Sequence, residues 1–260
     1  MTPPSSYPST HRHALRARVC PRATFPILFL LDDHSTRQNG RSSVESLRGK
    51  QARDLDAAAL AGRLAGAAQI LIDLGTGDGR FVRAVATACP TTFAIGIDAC
   101  RDNLREQSRS APPNALYLIA NALALPPELD GIATHLTINF PWGSLLAALL
   151  AGDAAFAQRL AALVQPGARL EMRLNGGALA EAGWSLWDGG QRVRAVLRAA
   201  GFSVVAPVAL GPPELRACPT TWAHRLAFGR DPRALELRGQ RVGGAHYQVS
   251  SMLQSTDAGG

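Results

Sequence analysis

The sequence has few cysteines and no long apolar run, and each deficit excludes a class of protein. The four cysteines form no C-x-x-C pair and do not cluster with histidine, which argues against a structural zinc site or a disulfide framework. No apolar stretch approaches the about 20 residues that span a bilayer. The run at 25–31 (FPILFLL) is followed by Asp32 and Asp33, where a secretory signal would need small residues. We therefore expect a cytoplasmic protein with no metal and no membrane partner.

Lysine is almost absent too, since Lys50 is the single lysine of the chain. The net charge is +7, and arginine supplies nearly all of the positive charge. This charge is unevenly placed. Residues 1–50 hold eight basic residues against three acidic ones, and residues 216–241 hold six arginines against Asp231 and Glu236. The C-terminal cluster lies within patterned sequence and favours an anionic partner such as nucleic acid.

The chain has 260 residues, which is long enough for one well-buried domain. Residues 1–42 are rich in proline, serine, threonine and arginine and show no sustained periodicity, so we interpret them as a disordered extension or a start-site artefact. Residues 43–240 form the predicted folded domain, and residues 241–260 are a predicted flexible tail.

From residue 69 onward, apolar strands alternate with amphipathic helices. Strands are predicted at 69–74, 93–98, 115–120, 133–139, 168–174 and 202–209. Helices are predicted at 80–89, 101–109, 153–164 and 190–200. Strands that are apolar on both faces and separated by helices predict an α/β fold with a doubly wound parallel sheet. Near the C-terminus, 222–228 and 234–237 are predicted to form a closing antiparallel pair.

A glycine-rich turn, DLGTGDGR at 73–80, follows the first of these strands and leads into a helix. Its G-x-G-x-G spacing places Arg80 where a dinucleotide fingerprint needs its last glycine. Asp73 precedes the turn and suits an ammonium group, and Asp98 ends the next strand, where a carboxylate can accept both ribose hydroxyls. This set favours S-adenosylmethionine over NAD. The alternative is a plain strand-to-helix turn in which Asp98 only caps a helix.

The strand at 115–120 is followed by Asn121, Ala122 and Leu123 at the predicted carboxyl edge of the sheet. An adenine ring is expected at this edge. Leu123 is a candidate to cover the ring, and the backbone groups of Asn121 and Ala122 are candidates to contact its polar edge. A loop with a buried leucine is an equally consistent interpretation.

Two tryptophans adjoin the predicted site. Trp142 lies on a turn, NFPWGSLL at 139–146, after the fourth strand, and Trp222 lies in the basic segment TTWAHRLAFGR at 220–230. Two aromatic faces can hold an extruded base, and each stack contributes about 1–3 kcal/mol. The alternative is that both tryptophans are core residues.

Several arginines are candidates for contacts with RNA phosphates. Arg225, Arg230 and Arg233 lie near Trp222, and Arg101 and Arg105 share one helix face by their spacing of four. A solvated basic surface is the competing interpretation for each of them.

Five motifs in the same order resemble one family: IDLGTGDGR (72–80), GID (96–98), LP (125–126), FPWGSLL (140–146) and WAHRLAFGR (222–230). The sequence is similar to the aminoglycoside-resistance 16S ribosomal RNA adenine-1408 N1-methyltransferases from residue 46 to about 240. The resemblance implies a class I, Rossmann-like methyltransferase fold, with a seven-stranded, mostly parallel sheet and an antiparallel C-terminal strand. It also implies that the substrate is the 30S ribosomal subunit and that the outcome is aminoglycoside resistance.

By this resemblance Trp142 and Trp222 clamp the flipped adenine, and Arg225 and Arg230 contact the site or the RNA backbone. The cofactor pocket implied by the family is lined by Asp73, Gly75, Phe81, Asp98, Ala122, Leu123, Ser144 and Thr220. The neighbouring Gly77, Asn121 and Phe140 complete the predicted cofactor site.

Adenine N1 carries a lone pair and no proton, so its methylation needs no general base, and the predicted catalysis is largely positioning. The expected enzyme is a monomer. A tRNA guanine-N7 methyltransferase is one alternative, although an F-P-D-P-W pattern is absent. A non-catalytic ribosome-binding or RNA-binding protein with a methyltransferase-like fold is the other.

Overall fold

The structure is a computed structural model that describes residues 43–229 and 231–243. The extension predicted at 1–42, Arg230, and all of the predicted tail beyond residue 243 lie outside the described residues.

The described residues form one large sheet with helices packed against it. The strands are β1 (Ser43–Arg48), β2 (Gln51–Asp56), β3 (Gln69–Leu74), β4 (Thr92–Asp98), β5 (Ala115–Ile119), β6 (Ala133–Asn139), β7 (Val164–Asn175), β8 (Phe202–Val204), β9 (Val208–Leu210) and β10 (Ala234–Arg241). The helices are α1 (Ala57–Leu64), α2 (Arg80–Ala88), α3 (Arg101–Arg109), α4 (Gly143–Ala151), α5 (Ala154–Leu163), α6 (Gly176–Glu181), α7 (Leu186–Ala199), α8 (Pro212–Ala217) and α9 (Thr221–Phe228).

The strand order is β2-β1-β5-β4-β3-β6-β7-β10-β8, with β9 paired to β10. Strands β3 to β7 pair in parallel, and β10 pairs with β7 antiparallel. Ile72 and Leu74 of β3 pack in one apolar core and Leu71 in another, because successive side chains of a strand point to opposite faces of the sheet. The predicted class I α/β fold with an antiparallel C-terminal strand is confirmed.

The predicted number of seven strands is too low, because the sheet of the described residues has ten. A hairpin of β1 and β2 joins the edge of β5, with Ser46 opposite Leu118. The hairpin turns at Gly49, whose φ of +61° favours glycine. Its short strands carry many polar residues, so their apolar periodicity is weak. The predicted strand 202–209 is in fact two short strands, β8 and β9.

The prediction of a strand at 222–228 was wrong, because these residues form helix α9. The Thr220 hydroxyl caps this helix by accepting a hydrogen bond from the Ala223 N–H at 2.9 Å. Ala223 and Leu226 are the buried residues of α9, and their spacing of three places them on one helical face. A threonine at this position stabilises the first turn of a helix, and the buried face anchors the rest. The strand predicted at 234–237 is present as β10.

The fold brings the carboxyl ends of β3, β4, β5 and β6 to one edge of the sheet. The strand order reverses at β3, since β4 lies on one side of it and β6 on the other. Ligands of such sheets bind in the crevice at this point. Within the described residues, no single helix is long and apolar enough to cross a membrane.

Candidate active site

The glycine-rich turn after β3 requires glycine at two positions, where the backbone φ is positive and a Cβ atom would meet a neighbouring side chain. Gly75 has a φ of +69°, and a Cβ atom there would lie 2.7 Å from Leu145 Cδ2. Gly79 has a φ of +76°, and a Cβ atom would overlap the ring of Tyr117. The Tyr117 hydroxyl donates a hydrogen bond to the Gly79 carbonyl at 3.1 Å. The turn therefore packs tightly against the sheet and leaves its other side open for a ligand.

Asp98 ends β4 beside this turn. Its carboxylate accepts hydrogen bonds from the Gly77 N–H at 2.9 Å and from the Cys100 N–H at 2.8 Å. A carboxylate has about four acceptor sites, so two backbone bonds fix its position and leave acceptors for a ribose. This arrangement fits the cofactor role predicted for Asp98.

Asp73 ends β3 and is almost completely buried. One carboxylate oxygen accepts a hydrogen bond from Thr76 Oγ1 at 2.6 Å, and the other accepts from Thr137 Oγ1 at 2.7 Å and Asn139 Nδ2 at 2.9 Å. Thr76 and Asn139 line the adjoining cavity, so the negative charge of Asp73 lies directly behind the cavity wall.

A partly buried arginine, Arg173, continues this network. Asn139 Oδ1 accepts a hydrogen bond from Arg173 Nη1 at 2.7 Å, and Arg173 Nη2 lies 2.9 Å from carboxylate oxygens of both Glu171 and Glu236. The Asn139 amide thus joins a cation on one side to the Asp73 anion on the other. Burial raises the pKa of Asp73 to about 6, and its three hydrogen bonds and the charge of Arg173 offset part of the rise.

This pKa predicts that the affinity for S-adenosylmethionine decreases in mild acid. The cofactor ammonium is attracted by the ionised carboxylate, and Asp73 is protonated as the pH falls through about 6. We expect the dissociation constant to rise by up to about tenfold between pH 7 and pH 5, because each unit below the pKa reduces the ionised fraction by about tenfold. Isothermal titration calorimetry across this range measures the effect.

Asp73→Asn is the control, since it removes the titrating charge and is expected to bind weakly with a flat pH profile. Protonation of Asp73 does not lower the affinity by unfolding the protein. Its pKa in the folded protein is raised above its ordinary value, so protonation between about pH 6 and pH 4 stabilises the fold. A parent profile as flat as that of Asp73→Asn would contradict the prediction.

A cavity of about 500 Å³ opens beside the turn at the carboxyl edge of the sheet, which is within the range of small-molecule sites. Eight residues of the predicted site line it: Gly75, Gly77, Asp98, Asn121, Ala122, Phe140, Ser144 and Thr220, together with both candidate tryptophans. Phe81 lies in the apolar core under α2, and Leu123 is exposed, and neither lines the cavity. The roles predicted for these two residues stay predictions.

Sequence reasoning missed four residues of this site: Thr76, Thr137, Asn139 and Thr221. A sequence signal existed for two of them, because Thr137 and Asn139 are polar residues at alternate positions next to the apolar Leu136 and Ile138 of β6. Pairing of Asp73 with Thr137 in the sheet register brings this polar face onto the carboxylate. Thr221 carried no such signal, since its partner Asp78 lies 143 residues earlier in the sequence.

Phe140 links the two tryptophans. It is the one non-glycine residue with positive φ in the described chain, at +52°, and such a backbone costs on the order of 1–3 kcal/mol. The strained residue directly precedes Pro141 and Trp142. Its ring is buried against Leu215 of α8 and Ala223 and Leu226 of α9, so the Trp142 turn and the Trp222 helix share one small core.

The two indoles stack on each other. The ring centroids of Trp142 and Trp222 are 5.3 Å apart and their planes differ by 14°. Both side chains are partly exposed, at 42% and 38%, so they are not core residues. Thr221, beside Trp222, donates a hydrogen bond to Asp78 of the glycine-rich turn at 2.5 Å. The stacked pair is therefore tied directly to the cofactor side of the cavity.

The candidate RNA-binding arginines lie in different surroundings. The Arg225 guanidinium lies over the Trp222 ring, 5.3 Å from its centroid. Arg233 is paired with Asp231, with Nη2 and Oδ2 2.7 Å apart. Arg101 and Arg105 are exposed on α3, where Arg101 donates to the Lys50 carbonyl and Arg105 pairs with Asp102. Among the described residues, no group of three or more His, Cys, Asp or Glu side chains is arranged to hold a metal ion.

A family model described as 16S rRNA (adenine(1408)-N(1))-methyltransferase matches residues 45–241. The chain belongs to this family. Within it, the chain is 31% identical to a 16S rRNA (adenine(1408)-N(1))-methyltransferase of Escherichia coli, over 62% of this chain and 82% of that protein. It is 32% identical to one of Streptoalloteichus hindustanus, over 63% and 82% of the respective chains.

Two solved methyltransferase structures have the same fold. The aminoglycoside resistance methyltransferase NpmB1 is 33% identical, with a TM-score of 0.65 over 76% of this chain and 100% of that one. A mutant 16S rRNA (adenine(1408)-N(1))-methyltransferase from Catenulisporales acidiphilia, solved with the cosubstrate S-adenosylmethionine, is 26% identical, with a TM-score of 0.69 over 78% and 99%. The family, the reaction class and the cofactor predicted from the sequence are confirmed.

Proposed function

We propose that this chain transfers a methyl group from S-adenosylmethionine to N1 of adenine 1408 in 16S rRNA of the 30S subunit, and so gives resistance to aminoglycosides. The observation that supports this most directly is the exposed pair Trp142 and Trp222 beside a cavity with a carboxylate for a ribose. A cofactor cavity alone would suit any methyltransferase, whereas two partly exposed indole faces suit a planar base.

The cofactor, when bound, supplies an electrophilic methyl group on a sulfonium. Adenine N1 forms the new N–C bond with its lone pair as the S–C bond breaks, the bonding electron pair stays on sulfur, and the ring takes the positive charge. No proton leaves N1, so no general base is needed. The residues of this chain contribute positioning: the tryptophans hold the base and Asp98 holds the ribose, with reacting atoms about 3–3.5 Å apart.

Entry of the base requires the two indoles to part. A ring held between two others needs about 7 Å between the outer planes, twice the carbon–carbon contact distance of about 3.5 Å, and the centroids are 5.3 Å apart. Opening of the pair exchanges one indole–indole stack for two base–indole stacks. Without the base, the two indoles stack on each other, and their inner faces are shielded from water. With the base bound, each inner face stacks on the base instead.

The proposal includes a monomeric enzyme that acts in the cytoplasm, where small subunits are found, without a metal. The alternative of a tRNA guanine-N7 methyltransferase is not favoured, since the family match covers residues 45–241 and names an rRNA adenine. A non-catalytic RNA-binding role is not favoured either, because Asp73, Asp98 and both tryptophans are in place at one cavity.

Methyl transfer from labelled S-adenosylmethionine to purified 30S subunits tests the proposal. We expect about one methyl group per subunit and a primer-extension stop at adenine 1408, because a methyl on N1 blocks base pairing. Cells that produce the protein are expected to grow at higher aminoglycoside concentrations. Transfer to tRNA with none to 30S subunits would contradict the proposal and favour the guanine-N7 alternative. Absence of any heat with S-adenosylmethionine in calorimetry would favour the non-catalytic alternative.

A further inference from the structure

A second and larger cleft adjoins the cofactor cavity. It has a volume of about 770 Å³ and lies between helix α2 and the segment that carries α8 and α9. Thr220, Thr221 and Arg225 line both this cleft and the cofactor cavity. Since Arg225 also lies over the Trp222 ring, one end of the cleft begins at the tryptophan pair.

The lining of this cleft is strongly basic. It includes Arg80, Arg83, Arg216, His224 and Arg225, and none of its lining residues is Asp or Glu. Arg80 is partly neutralised by Asp78, with Nε and Oδ2 3.2 Å apart. The other three arginines have no ion-pair partner within the described part of the chain. A cleft lined by several uncompensated guanidinium groups has a positive potential and attracts anions.

The guanidinium of Arg83 is held in place by neutral groups. Its Nη1 donates hydrogen bonds to Gln107 Oε1 at 3.2 Å and to Ser110 Oγ at 2.8 Å. Neutral acceptors orient the side chain without cancelling its charge, which differs from Arg105 and Arg233, each paired with a carboxylate. Arg216 is exposed at the end of α8 on the opposite wall. The cleft therefore presents positive charge from both sides.

We infer that this cleft binds the RNA backbone next to the flipped adenosine, with Arg83 and Arg216 as contacts to its phosphates. The inference rests on the proposed function and extends it to a strand path. Guanidinium groups bind phosphate oxygens through paired N–H donors. A strand that places its base between the tryptophans must continue past Thr221 and Arg225, and the basic cleft begins there.

Salt-dependent binding of 30S subunits tests this inference in the full chain. The variants are Arg83→Gln, Arg216→Gln and the double variant, and binding is measured by filter retention over a range of salt concentrations. Each single-strand phosphate contact contributes about 0.7 to the slope of log K against log salt. The double variant is therefore expected to have a slope shallower by about 1.4, a tenfold or larger rise in KM for subunits, and a kcat within about threefold of the parent.

Three controls separate a phosphate contact from a structural effect. Arg198→Gln removes an exposed arginine at the end of α7, outside the cleft, and is expected to keep the parent slope. The double variant Arg83→Lys with Arg216→Lys keeps the charge and is expected to restore most of the slope. All variants are expected to bind S-adenosylmethionine with parent affinity and to keep the parent Tm within a few degrees.

A double glutamine variant with the parent slope and KM would overturn the inference, as would a loss that the lysine variant fails to restore. Binding is measured without methyl transfer, so this result is separate from the proposed function. If the parent binds subunits with a steep slope and transfers no methyl group, the proposed reaction fails while the cleft is still tested.

Discussion

Trp222→Ala is expected to lower methyl transfer to 30S subunits by on the order of 100-fold while changing the affinity for S-adenosylmethionine by less than about threefold. The indole of Trp222 contributes one face of the stacked pair, and a base–aromatic stack contributes about 1–3 kcal/mol. Loss of one face also frees the base to leave the line of attack, which adds to the loss. Single-turnover transfer of labelled methyl groups and calorimetry with the cofactor measure the two effects separately.

Trp187→Ala is the matched control, because Trp187 is 51% exposed on α7 and does not line the cavity. It is expected to keep parent activity. Trp222→Phe keeps a smaller aromatic face and is expected to retain an intermediate rate. Equal rates for Trp222→Ala and the parent would show that the tryptophan pair does not hold the substrate base.

Phe140→Ala is expected to lower both the stability of the protein and the rate of methyl transfer. The Phe140 ring is 2% exposed in the core shared with α8 and α9, and deletion of a buried phenylalanine side chain costs about 3–5 kcal/mol. Alanine does not relieve the positive φ of +52°, so no gain offsets this loss. Because this core fixes Trp142 relative to Trp222, the rate is expected to fall at least tenfold even under conditions where the variant is folded.

Phe156→Ala provides the comparison, since Phe156 is 3% exposed in the main core on α5 and makes no part of the cavity wall. It is expected to lose similar stability, as measured by urea denaturation, while the folded fraction keeps near-parent activity. If the two variants lose activity in proportion to stability alone, Phe140 is only a packing residue and not a positioning residue for the tryptophans.

Local patterns in the sequence were sufficient to predict the parallel part of the sheet and most of the candidate residues that line the cavity. The glycine-rich turn follows one apolar strand, and Asp98 ends the next. The parallel arrangement of these strands places the turn and the Asp98 carboxylate at the same edge of the sheet. Parallel strands bring their carboxyl ends together, so residues directly after them meet regardless of loop details. The family motifs then identified the reaction, which spacing by itself left open between several nucleoside ligands.

The C-terminal segment shows where sequence patterns fail. Its residues at 222–228 include Trp222 and Phe228 and follow two threonines. They nevertheless form α9, because Thr220 caps the helix and Ala223 and Leu226 face a core built around Phe140. That core joins residues more than 70 positions apart, so no local window contains it. The polar residues of the hairpin β1–β2 likewise gave no periodic signal, and pairing with β5 stabilises it instead.

The sequence by itself determined the reaction class and the cofactor and identified the two tryptophans as candidates, because these inferences depend on residue types within short motifs. Only the tertiary structure decided that Trp142 and Trp222 face each other at 5.3 Å, that Asn139 joins Arg173 to Asp73, and that Arg83 and Arg216 line one cleft. Each of these arrangements depends on distances between elements remote in the chain. Such distances are set by the packing of helices on the sheet and not by any local pattern.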